Sequence, residues 1–87
     1  MVAKYLINLV EEFSKEYNLD ISKVYKKMVN VYQEQYGINI DMKMRAEGYT
    51  EMPQYLEKIG IVDRYVSILN KLKRMVNDNL DLELDKI

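Results

Sequence analysis

From Ile21 to Tyr36 the apolar residues return every three or four positions: Ile21, Val24, Tyr25, Met28, Val29, Val31, Tyr32 and Tyr36. At about 100° per residue they fall on one side of a helix. Lys23, Lys26, Lys27, Asn30, Gln33 and Glu34 fall on the other. Asp20 stands where a carboxylate accepts from the free N–H groups of the first turn. Gly37 supplies the left-handed residue that closes a helix, and Ile38 is placed to fold back over the last turn. A helix with a wide apolar face and defined ends must bury that face against other elements, so the rest of the chain is read for partners.

The partners are also helical. Over residues 2–18, Val2, Leu6, Leu9, Val10, Phe13 and Tyr17 keep the same spacing, with Tyr5 beside them. Ile7 lies off that stripe, either as a single exposed apolar residue or as a contact with a partner. Asn18-Leu19-Asp20 breaks this first helix. Asn39 is placed to cap a short helix through Glu47, with Gly48 closing it; Ile40 and Met44 share a side and Met42 points away. Thr50 and Pro53 mark the start of another short helix, because proline fits the first turn. It carries Tyr55, Leu56 and Ile59 and stops at Gly60. A last long helix runs from Ile61 to Val76, with Ile61, Val62, Tyr65, Val66, Ile68, Leu69, Leu72, Met75 and Val76 on its apolar side. Arg64, Ser67, Lys71 and Arg74 lie on its exposed side.

These readings predict an all-α fold, a small bundle of three long amphipathic helices plus one or two short ones. Residues 1–78 form one helical domain. Residues 79–87 form an acidic tail in which Leu80, Leu82 and Leu84 alternate with Asp81, Glu83 and Asp85. An edge strand, a docking tail and a frayed end all fit that alternation.

Composition removes most catalytic chemistry. The 87 residues contain no Cys and no His, so disulfides, thiolate metal sites and His-based triads are excluded. Ser14, Ser22 and Ser67 offer no Ser–Lys spacing that singles one out, and Glu12 with Glu16 reads as a solvated helix face. The three glycines stand alone, so no phosphate cradle is expected. The expectation is a protein that is not an enzyme, with no catalytic residue, metal or cofactor. No apolar run reaches the ~18 residues of a membrane span, and no signal-peptide pattern opens the chain, which places the protein in the cytoplasm.

Two surfaces remain as candidates. Lys23, Lys26, Lys27 and Asn30 form a basic stripe, and Lys71, Lys73 and Arg74 form a second cluster. Residues 61–76 carry +3 (Arg64, Lys71, Lys73 and Arg74 less Asp63). Residues 77–87 carry −3 (Lys86 less Asp78, Asp81, Glu83 and Asp85), so the tail screens the basic helix or competes with phosphate for it. Duplex DNA binding through these cations is one reading. With a net charge of −1 the cations also read as ordinary solubilising residues. The second surface is apolar: arcs of roughly 160–180° on the second and last helices exceed the ~100° a surface helix needs. A small bundle leaves part of such arcs open, which favours self-association or a protein partner over DNA, and gives no place to a membrane or small-molecule substrate.

The order "VYKKMVNVYQEQYGINI", then "MRAEGYT", then "YLEKIGIVDRYVSILNKL" resembles the helical C-terminal region of phage antirepressor and related prophage regulatory proteins. The resemblance rests on Val24, Tyr25, Tyr32, Tyr36, Gly37 and Ile38, with Tyr55 and Leu56, within residues 19–72. It implies a phage or mobile-element origin and a regulator or inhibitor acting through protein contact in the host cytoplasm. It names no catalytic residue. Relatives carry this region behind a separate DNA-binding domain that these residues do not include, so their DNA binding is not carried over.

Overall fold

The computed structural model describes residues 2–77, and the proposed tail at 79–87 lies outside them. Five helices are present among the described residues, with no strand: α1 (Ala3–Tyr17), α2 (Ile21–Tyr36), α3 (Ile40–Ala46), α4 (Met52–Ile59) and α5 (Val62–Asn77). The bounds follow local chemistry. Asn18, at φ 55°, ends α1 in the left-handed region that Asn tolerates. Asp20 Oδ1 accepts from the Ser22 N–H at 2.9 Å and from Ser22 Oγ at 2.7 Å. Those two bonds, the side-chain one first, hold the Asp20 carboxyl below its usual range. Gly37, at φ 74°, closes α2, and its N–H donates to the Gln33 carbonyl. Asn39 Oδ1 accepts from the Met42 N–H at 3.1 Å, and Pro53 sits in the first turn of α4.

One apolar cluster unites the five helices. Leu6, Val10 and Phe13 of α1 meet Val24, Met28 and Tyr32 of α2. Ile40, Met44, Tyr55 and Leu56 enter from the short helices, and Tyr65, Ile68, Leu69 and Leu72 from α5. The last helix packs against both α1 and α2. Its first turn lies at the C-terminal end of α2, where the Tyr65 ring is 5.5 Å from that of Tyr32. The radius of gyration, 12.4 Å, is what a compact domain of this length has.

Several expectations need correction. Periodicity puts Val2, Tyr5, Ile21 and Tyr36 on apolar arcs, yet all four are exposed. They lie at or near helix ends, where the neighbouring elements cover them only in part. Ile38 is 44% exposed, and Ile40 is the residue of this segment that enters the core. Ile7 is half-buried. Arg64 is exposed, as its place on the outer side of the last helix predicts, and it also donates from Nη1 to the Tyr32 hydroxyl at 2.9 Å and lies 4.7 Å from the centre of the Tyr36 ring. That bond, 32 residues apart in sequence, raises the already high affinity of the guanidinium for its proton.

Another unforeseen bond caps α1. Val2, its N-cap residue, offers no side-chain oxygen. Glu57 Oε1, from α4, accepts from the Ala3 N–H at 2.6 Å. A carboxylate there satisfies a free donor and meets the positive end of the helix dipole.

Candidate functional site

An open groove of about 1070 Å³ lies between the N-terminal half of α2 and the segment from Asn39 to Pro53. Ser22, Lys23, Lys26 and Asn30 supply its α2 side. Asn39, Asp41, Arg45 and Thr50 supply polar groups opposite. Its apolar lining comes from Val29, Met44, Tyr25, Tyr49, Met52 and Pro53, of which Val29 and Met44 are buried.

Helical geometry explains which lysines take part. Lys23, Lys26 and Asn30 follow one flank of α2 at three- and four-residue steps. Lys27 turns about 100° away from Lys26; it is half-buried and does not line the groove. The expected stripe therefore divides. The second cluster is elsewhere again: Lys71 and Arg74 are exposed on α5, Lys73 is half-buried there, and none of the three lines the groove.

The wall opposite α2 is braced from behind. Tyr55, fully buried, donates its hydroxyl to Glu47 Oε2 at 2.7 Å. Lys43 Nζ reaches the same oxygen at 2.8 Å. The two bonds, Lys43 first, hold the Glu47 carboxyl below its usual range and fasten the end of α3 to α4. The Tyr49 N–H donates to the Met44 carbonyl at 3.0 Å. The Tyr49 ring lies 5.2 Å from Tyr55, with Lys58 Nζ 5.2 Å from its own centre. Along α3 itself, Arg45 Nε pairs with Asp41 Oδ2 at 3.1 Å.

The groove lining carries Lys23, Lys26 and Arg45 against Asp41, two net positive charges on a chain whose total is −1. Burial first, then the Glu11 carboxylate, push the hydroxyl of half-buried Tyr25 up to about 12, so it stays protonated at neutral pH. The arrangement suits binding by apolar contact and charge. Among the described residues, no three Asp or Glu side chains gather as a metal site requires, and no helix is long and apolar enough to cross a membrane.

Sequence reasoning finds Lys23, Lys26 and Asn30 and misses the facing wall. The Asp41–Arg45 pair was legible as an i, i+4 couple of opposite charge. The inward placement of Tyr49 was not, because it depends on the α3–α4 turn. No family model matches the chain, and no curated protein or solved structure is detectably similar to it.

Proposed function

We propose that this chain is a non-enzymatic helical protein-interaction module whose docking surface is the groove between α2 and the α3–α4 segment. The observation that carries this reading is the apolar lining of an open groove beside a basic flank. A core side chain is normally covered on all sides, whereas Tyr25, Tyr49, Met52 and Pro53 are only half-buried at this surface. Tyr, Met and Arg, all present in the lining, are enriched where protein interfaces are most deeply buried. The resemblance to prophage regulatory proteins suggests the setting: a phage or mobile-element regulator or inhibitor acting in the host cytoplasm. Self-association is the simplest form of such contact.

Duplex DNA binding is the competing reading. It gains least from a surface in which the cations of α2 and α5 do not share one groove and in which half of the wall is apolar. A photo-crosslinking residue placed at Lys26, in the groove, and separately at Lys71, on α5, tests the proposal in host cells. The expected result is a discrete protein adduct from position 26 and none from position 71, with light scattering showing whether the adduct is a second copy. A strict monomer that gives no adduct at position 26, yet binds duplex DNA at low salt, replaces this reading with the nucleic-acid one.

A further inference from the structure

We infer that the groove takes an acidic segment of a protein partner, one whose carboxylates are interleaved with apolar side chains. The inference rests on the protein-interaction reading and deepens it. Charge sets the first condition. Lys23, Lys26 and Arg45 outnumber Asp41 in the lining, so the groove is positive while the chain as a whole is negative. A positive groove on a net-negative molecule steers anionic segments toward itself against the general repulsion. The apolar lining sets the second. A phosphate backbone would pair with the cations and bury none of the apolar surface left open at Tyr25, Tyr49, Met52 and Pro53. A neutral apolar peptide would cover those residues and draw nothing from the positive flank. An acidic segment carrying apolar side chains satisfies both, and the braced wall at Tyr49 keeps the groove formed beforehand, which lowers the ordering cost of binding.

A probe with this composition is written in the chain itself, at Leu80-Asp81-Leu82-Glu83-Leu84-Asp85. The experiment titrates a synthetic peptide of residues 79–86 into the full-length protein while backbone amide shifts are followed by NMR. The protein carries Asp81→Asn, Glu83→Gln and Asp85→Asn, so that its own copy of the sequence does not compete. A control peptide has the three acids replaced by lysine. The expected result is saturable movement at Lys23, Lys26, Met44 and Tyr49 with the acidic peptide and none with the control. Reversal of the flank with Lys23→Glu and Lys26→Glu is expected to weaken binding about tenfold, the order that two ion pairs at a protein surface supply. Equal binding of both peptides at the groove overturns selection for acid and leaves the protein-interaction reading standing. An acidic peptide that moves no groove amide overturns the inference, and the crosslink from position 26 then decides the broader reading separately. Displacement of bound peptide by duplex DNA at physiological salt overturns it in favour of a nucleic-acid ligand.

Discussion

Replacing Tyr65 by phenylalanine is expected to stabilise the protein. Tyr65 is fully buried, and its hydroxyl has no hydrogen-bond partner among the described residues. Burial first, then Tyr32 and Asp41, push that hydroxyl well above the usual tyrosine range, as expected of a phenol kept from water. A buried hydroxyl that makes no bond costs about 1–3 kcal/mol in lost hydration. Phenylalanine keeps the ring, its packing in the cluster and its approach to Tyr32, and removes only the oxygen. The dispersion attraction that goes with one oxygen atom is about 0.1–0.2 kcal/mol per neighbouring atom, a fraction of that cost. The net expectation is a gain of about 1 kcal/mol, which raises the thermal midpoint of a domain this size by about 4–8 °C. Melting followed by circular dichroism at 222 nm, on Tyr65→Phe beside the parent, measures it. A midpoint equal to or below that of the parent would refute the reasoning, because it would show that the hydroxyl is satisfied in the folded state.

The same substitution elsewhere should change sign. Tyr32→Phe removes the acceptor of the Arg64 bond at 2.9 Å and should lower the midpoint in the same melts. Leu56→Ala opens a cavity at a fully buried position and should cost about 2–5 kcal/mol, read as a shift of the urea midpoint with little change in slope. Asp20→Ala tests the cap of α2 through pH. Folding lowers the Asp20 pKa below its ordinary 3.8, so its stabilisation is fully present above 3.8 and is lost as pH falls through the lower folded value. The midpoint difference between parent and variant should be present at pH 7 and vanish at strongly acid pH.

Much of the fold was legible because it is written locally. Asp20, Gly37, Asn39, Pro53 and Gly60 act within one turn of where they stand, so their roles need no knowledge of the tertiary structure. The interior sides of α1, α2 and α5 were legible from period alone, since Leu6, Val24 and Leu69 recur as a helix requires. What escaped was everything that depends on two helices meeting. Arg64 has the spacing of a solvent residue, and only the arrival of α5 at the end of α2 gives it Tyr32 and Tyr36. Glu57 looks like one more surface acid until α4 brings it to the start of α1. The groove was half legible for the same reason. Its α2 flank lies on one helix and shows in the spacing of Lys23, Lys26 and Asn30. Its opposite wall is made by the fold of residues 39–53, whose turn between α3 and α4 carries no strong periodic signal. The exposure of Tyr5 and Tyr36 shows the limit of periodicity: it tells which side a residue faces, not whether a neighbour extends far enough to cover it.

The position of α5 has a consequence for biosynthesis. It is the last helix of the described chain, yet it packs on both α1 and α2 and brings Tyr65, Ile68, Leu69 and Leu72 into the common cluster. While a ribosome is still making residues 62–77, Phe13, Met28 and Tyr32 of the emerged chain have one another but lack the face that Tyr65, Leu69 and Leu72 supply. Folding therefore waits on the last helix, and the four earlier ones must be kept from aggregation meanwhile. A premature stop or a proteolytic cut just before Tyr65 would not yield a smaller version of the same protein. It would leave a sticky intermediate for chaperones and proteases to clear, so the cell receives either the whole bundle or none of it.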